Sequence, residues 1–393
     1  MFSCKLIKVI VLENIASARK LMKKESVDAL IVKQPHNLYY MSGWSPKVTA
    51  RPILAVVPLK NETTLIIPEI EETTSQRYAD QIKKIITYSE NKYNLFEASA
   101  RTLKKVIEDM SLTKGRIGIE EDFLPIHYYR FLKNNLPEIE LVDADSLIWQ
   151  LRMIKSEKQI ENMRRASEIA VIGMDILLDV QKAGKTELEI NKEAQNRLSP
   201  RAHELYSEDK IQVEGGVLSG WKTVDPHELP SGKHLEKGET VKNLMGGTLN
   251  NYYTALHRTT VVGRPTDDQK YRWETLVEAQ RKALELVKPG TKVCDVHNAI
   301  KLVRDEAGLG NLRAHSPHAH DQARTGSGQG LHYHEPPYLR ASDDTELMPG
   351  MVITVQPQLN DPAIGMGFGI GDSVLITRDG HEVLTEFRKD TIY

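Results

Sequence analysis

Short apolar runs alternate with helix-like segments through the first third of the chain. DALIVK (28–33), PILAVV (52–57), TTLIIP (63–68) and RIGIEE (116–121) are brief, apolar and bounded by polar or turn-forming residues, which predicts buried strands. Residues 14–24 and 95–110 predict helices between them, giving an α/β domain. The texture changes near residue 150. Ser156-Glu157-Lys158-Gln159 has capping-box form, Ser then Gln three residues later, and opens a long helical pattern that stops at Gly184. A boundary follows there, with domains at 1–150 and 151–393.

The second region carries a weak internal repeat. A long helix, Ala183-Gly184-Lys185-Thr186 and the helix ELEINKEAQNRL are echoed by a long helix from Thr266, Pro289-Gly290-Thr291-Lys292 and VCDVHNAIKLVRDEAG. Each junction is followed by strand-like sequence. Either two ordinary helical hairpins coincide, or two halves related by a pseudo-twofold bury a curved sheet under helices.

Composition narrows the class. A chain of 393 residues with 40% hydrophobic and 27% charged residues is ordinary for a globular protein of two domains. A net charge of -2 gives no reason to expect nucleic acid or an anionic membrane as partner. Cys4 and Cys294 are the only cysteines, which excludes a disulfide framework and a cysteine zinc site and fits a reducing compartment. The opening MFSCKLIKVIVLEN makes a poor signal peptide, and no apolar run reaches the length of a membrane span, so a cytoplasmic protein is expected.

Histidine is concentrated late in the chain. His315, His318, His320, His332 and His334 lie beside Asp321 and Glu335, the last within GSGQGLHYHEPP. His318-Ala319-His320 and His332-Tyr333-His334 are alternate pairs, which on a strand share a face and could reach one ion. The alternative is that these histidines hold no ion and most of them simply occupy a loop.

Five segments then become specific in their order and spacing: DALIVKQPHNLYYMSG (28–43), LRMIKSEKQIENMRRASEIA (151–170), LNNYYTALHRTTVVG (249–263), GSGQGLHYHEPPYL (326–339) and MPGMVITVQP (348–357). Together they resemble the prolidase, aminopeptidase P and creatinase superfamily over essentially the whole chain. The resemblance implies a creatinase-type amino-terminal α/β domain, a pita-bread (α+β) carboxy-terminal domain, and a homodimer with the active site shared between subunits. Peptidases of that superfamily hold two divalent metals with two aspartates, a histidine and two glutamates. Those positions fall here on Leu244, Ala255, Ser327, Gln356 and Gly371. None keeps its ligand, so the usual dimetal centre is expected to be absent and no cofactor is expected.

Creatinase is the superfamily member that works without a metal, and the resemblance to it supplies the remaining expectations. Ser219-Gly220-Trp221-Lys222-Thr223-Val224-Asp225-Pro226-His227 is similar to its S-G-x-N-x-x-x-x-H stretch, which puts His227 at its catalytic histidine. Arg51 matches the arginine that grips the substrate carboxylate from the partner subunit. Creatinase has glutamates where this chain has His257 and Gln356, so creatine itself does not suit the pocket. The resulting expectation is a metal-independent hydrolase of a C–N bond in a small, carboxylate-bearing substrate. His227, His257 and His334 are its catalytic candidates; Arg51, Gln356, Glu335 and Tyr253 are its substrate-binding candidates. Two alternatives remain open: an Xaa-Pro peptidase with a rebuilt metal site, and a non-catalytic binding protein of the same fold.

Overall fold

The computed structural model describes residues 2–44, 50–78, 82, 84–207, 209–225, 228–312 and 324–392. It divides into two compact units, Met1–Arg152 and Met153–Tyr393.

The first unit is a six-stranded mixed sheet. Its strands are β1 (Ala29–Val32), β2 (Leu54–Pro58), β3 (Thr64–Pro68), β4 (Lys84–Tyr88), β5 (Arg116–Ile119) and β6 (Glu140–Asp143), in the spatial order β4-β3-β2-β1-β5-β6. β1 runs parallel to β5 and antiparallel to β2. The four central strands are the apolar runs, because both faces of a central strand are covered. Leu103, Val106 and Ile107 of helix Leu95–Asp109, with Tyr128 and Leu132 of helix Ile126–Asn135, close one face over Ile31, Val56 and Ile66. β4 and β6 are the edge strands. KIITY and ELVD are mostly only half covered there, so they lack a continuous apolar signal.

The second unit shows the repeat directly. Helices Glu157–Val180 and Glu187–Leu205 are matched by Asp267–Leu286 and Val293–Glu306. Gly184 and Gly290 turn the two junctions at φ of 85° and 84°, a left-handed conformation that glycine adopts without a Cβ clash. Two residues beyond each glycine, Thr186 bridges to His234 and Lys292 bridges to Glu346. The first helix pair packs Ile169, Met174, Ile190 and Leu198 on the sheet β7 (Ile211–Ser219), β8 (Thr240–Leu249) and β9 (Tyr252–Val261). The second pair packs Ala283, Val296 and Ile300 on Ile353, Val355 and Val374 of the other sheet. That sheet is formed by β10 (Ser327–Gly328), β11 (Glu335–Tyr338), β12 (Val352–Val355), β15 (Asp372–Ile376) and β16 (His381–Val383), while β13 (Gln358–Asp361) pairs with β14 (Met366–Gly369). The halves are stitched where His257 and Gly371 exchange both backbone hydrogen bonds at 3.0 Å. This is the creatinase-type amino-terminal domain followed by a pita-bread domain with its pseudo-twofold repeat.

Strand alternation decides what faces inward. On β8, Val241 and Met245 enter the helix-covered core, while Lys242 and Leu244 face a cavity. On β9, Leu256 goes to the core, and Tyr253 and His257 face the cavity. A slip of one residue in either strand would exchange the two sets.

Candidate active site

The cavity has a volume of 820 Å³ and is lined entirely by the second unit. That size suits a small molecule or a short peptide. Leu244, Tyr253 and Tyr333 line it together with His257, Gln356 and His334. Three carboxylates, Glu214, Asp225 and Glu228, and three basic side chains, Lys242, Arg324 and Arg340, line it together.

His257 and Gln356 are tightly packed. Gln356 Nε2 is 3.1 Å from His257 Nδ1, and His257 is only 6% exposed. Glycine at 369 and 371 makes room for both side chains. A Cβ at Gly369 would stand 3.0 Å from His257 Nδ1, and one at Gly371 would stand 2.8 Å from Gln356 Cγ.

His334 is held differently. Its Nδ1 is 2.8 Å from Ser327 Oγ, and its ring lies 4.1 Å, centroid to centroid, from that of Tyr333. Tyr333 in turn meets Tyr253 edge-on at 5.0 Å. Burial pushes both phenols above their ordinary range, with a hydrogen bond from Gln356 opposing the shift at Tyr333. Both therefore remain neutral hydrogen-bonding groups near neutral pH. The guanidinium groups of Arg324 and Arg340 each sit 5.5 Å from the Tyr338 ring centroid, a cation–π arrangement that steadies them beside the cavity.

Glu335 corrects its expected role. It is 1% exposed, does not line the cavity, and accepts a hydrogen bond from Lys155 Nζ at 3.0 Å. Burying a carboxylate demands a partner of opposite charge, and Lys155, itself only 5% exposed, supplies it. Glu335 belongs to the framework under the site. Arg51 lies in the first unit, where its Nε is 2.5 Å from Glu90 Oε1.

The loop after β7 carries Asp225 and Glu228. Buried Glu187 staples its two ends, accepting from Ser219 N at 2.8 Å, Lys222 Nζ at 2.8 Å and Ser231 N at 2.9 Å. His227 lies in this loop but outside the described residues, as do His315, His318, His320 and Asp321.

Lys242 was not anticipated. Its Nζ donates to Asn360 Oδ1 at 2.6 Å and to Gln358 Oε1 at 3.4 Å, and no carboxylate among the described residues pairs with it. Burial alone pushes its amine down to about 7. One signal could have found it: on an alternating strand, residue 242 shares the face of residue 244.

The same fold was matched to known proteins. Residues 161–378 match the model of metallopeptidase family M24, and residues 14–154 match the creatinase/prolidase N-terminal domain. The chain is 30% identical to an Xaa-Pro dipeptidase of Pyrococcus horikoshii over 97% of this chain and 99% of that one. It belongs to metallopeptidase family M24. Another relative, an Xaa-Pro dipeptidase of Pyrococcus furiosus, is 29% identical over 97% of this chain and 99% of that one. The crystal structure of the prolidase from Pyrococcus horikoshii superimposes with a TM-score of 0.80 at 28% identity, covering 97% of this chain and 100% of that one. Membership places the chain among hydrolases acting on peptide C–N bonds.

These relatives correct the main functional expectation. They are Xaa-Pro dipeptidases of a metallopeptidase family, matched along nearly their full length, so the kinship supports the Xaa-Pro peptidase alternative. A metal-independent, creatinase-like reaction with His227 as its acid/base is not what the relationship supports.

The M24 family implies metal, and the residues at the five carried-over positions do not fit it. Leu244 and Ala255 offer only carbon, and Ser327 Oγ is committed to His334. The amide of Gln356 is turned to His257, and the place of a side chain at Gly371 is filled by Gln356 itself. Hard divalent cations need several oxygen or nitrogen donors, most of them charged. Among the described residues no three His, Cys, Asp or Glu side chains converge in that way.

Proposed function

We infer that the cavity takes a short peptide with both ends charged, of the Xaa-Pro dipeptide class, and that the chain acts on its C–N bond. One observation carries this reading: three carboxylates, Glu214, Asp225 and Glu228, two guanidinium groups, Arg324 and Arg340, and the apolar Leu244, Tyr253 and Tyr338 all line the same cavity. A dipeptide presents an ammonium, a carboxylate and apolar side chains within a few ångströms of one another. The carboxylates would hold its amine, and the guanidinium forks its carboxylate. His257, His334 and the neutral phenols of Tyr253 and Tyr333 supply hydrogen bonds to the peptide group between. The names of the Pyrococcus relatives point to the same substrate class.

A second reading is favoured by Leu244, Ala255 and Gly371: the cavity binds such a peptide without cleaving it. The test is a panel of Xaa-Pro dipeptides incubated with the purified protein, alone and with manganese, cobalt or zinc, with binding measured by calorimetry and released proline by mass spectrometry. Release of proline supports the hydrolase reading. Binding without release selects the second reading, and neither binding nor release would overturn both.

A further inference from the structure

Lys242 occupies an unusual position for a lysine. It lies on β8 two residues before Leu244, so both side chains face the cavity. Among the described residues, its Nζ is held by the neutral amide oxygens of Asn360 and Gln358, at 2.6 and 3.4 Å, and by no carboxylate. A carboxylate at position 244 would stand on the same strand face and give the ammonium a partner. Leucine gives it none. Leucine at the position where the resemblance puts a metal-ligating aspartate therefore also leaves this amine without a counter-charge among the described residues.

An ammonium in such surroundings loses hydration and gains no Coulomb partner, so the neutral amine is favoured, in line with the downward push from burial. A neutral amine has two N–H donors and one lone pair. Asn360 and Gln358 accept from the two donors, which leaves the lone pair as the remaining functional valence. Desolvated lysines of this kind are the ones that act as nucleophiles toward carbonyl carbon.

We propose that the Lys242 amine is a covalent capture site for a small carbonyl compound, an aldehyde or 2-oxo acid, that enters the cavity. The nitrogen lone pair forms the C–N bond as the carbonyl π electrons move to oxygen. A proton passes from nitrogen to that oxygen to give a carbinolamine. Loss of the hydroxyl with the second nitrogen proton releases one water and leaves an imine. No oxidant or reductant is consumed. Arg324 and Arg340, which line the same cavity, suit the carboxylate of a 2-oxo acid. This site does not require the short-peptide reading.

The test is reductive trapping. The full-length protein is incubated near neutral pH with pyruvate, or with butanal, and sodium cyanoborohydride, and the adducts are located by peptide mapping. Lys242 should be modified at least about tenfold more than any other lysine. Labelling that is absent at Lys242, or no greater there than at exposed Lys237, would overturn the proposal. Leu244→Asp should return a counter-charge to the amine and lower trapping at Lys242 by about tenfold with the fold intact by melting temperature. Undiminished trapping in that folded variant would refute the unpaired amine as the cause. The wild-type map decides the site even if the variant does not fold.

Discussion

The side-chain amide of Gln356 stands 3.1 Å from Nδ1 of His257, at the point where Gly371 pairs with His257 across the two halves of the domain. An amide N–H is a donor, so Nδ1 accepts and the ring carries its proton on Nε2. The contact is neutral where the resemblance to the superfamily implies an anionic glutamate oxygen. Gln356→Glu would replace the donor with an acceptor and favour the doubly protonated imidazolium. Nitrogen-15 NMR of the ring should show one protonated nitrogen in the wild type near neutral pH and two in the variant. An unchanged ring would mean that Gln356 does not set its state.

The two glycines beside that ring are a packing requirement. Gly369→Ala drives a methyl group into the His257 ring, nearest to Cε1 and 3.0–3.1 Å from the two nitrogens, so the ring must shift toward the cavity it lines. Overpacking of this kind costs about 1–3 kcal/mol. Gly380→Ala meets nothing within 4 Å and serves as the control. Chemical denaturation should separate the two, with Gly380→Ala close to wild type.

Glu335 is a framework residue, and its substitution should say so. Glu335→Ala strands the Lys155 ammonium in the interior, which costs about 3–5 kcal/mol. Adding Lys155→Met should recover a large part of that loss. If Glu335→Ala instead leaves stability unchanged and abolishes ligand binding, the residue faces substrate after all.

Lys242 gives stability a pH dependence of definite sign. Its native value is depressed to about 7 from 10.5, so between those limits the unfolded chain binds the extra proton. Stability then rises with pH across that window, and the penalty for burying the charge is fully present below it. Wild type should gain on Lys242→Met by about 2–3 kcal/mol between pH 7 and pH 9, at most one unit of 2.3RT per pH unit. A difference that is flat with pH would show that the amine stays charged in the folded protein. Comparing differences removes the contribution of Tyr253 and Tyr333, which titrate in both proteins.

Much of this architecture is legible in the chain. β1, β2, β3 and β5 are apolar on both faces because other elements cover them, and Ser156 with Gln159 announces its helix through capping chemistry that is local. The paired glycines Gly184 and Gly290 mark the repeat because the left-handed turn demands them. β4 and β6 escape notice, since an edge strand needs little apolar surface. Leu244, Ala255, Ser327, Gln356 and Gly371 mark the altered site only through the resemblance to the superfamily. Spacing could not show that Glu335 turns to Lys155, a residue 180 positions away. Nor could it show that Arg324, Arg340 and Glu214 converge on one cavity, because that depends on tertiary packing between the halves.

The claim that the cavity reads both ends of a short peptide is tested most directly by calorimetry with one dipeptide in three forms. N-acetylation of alanyl-proline removes the charge of its amine, and amidation removes that of its carboxylate. Free dipeptide should bind, and capping either end should weaken binding by about tenfold or more, because each cap removes a charge-assisted contact worth about 1.5–3 kcal/mol. Equal affinity for all three forms, or no binding of any, would contradict the account.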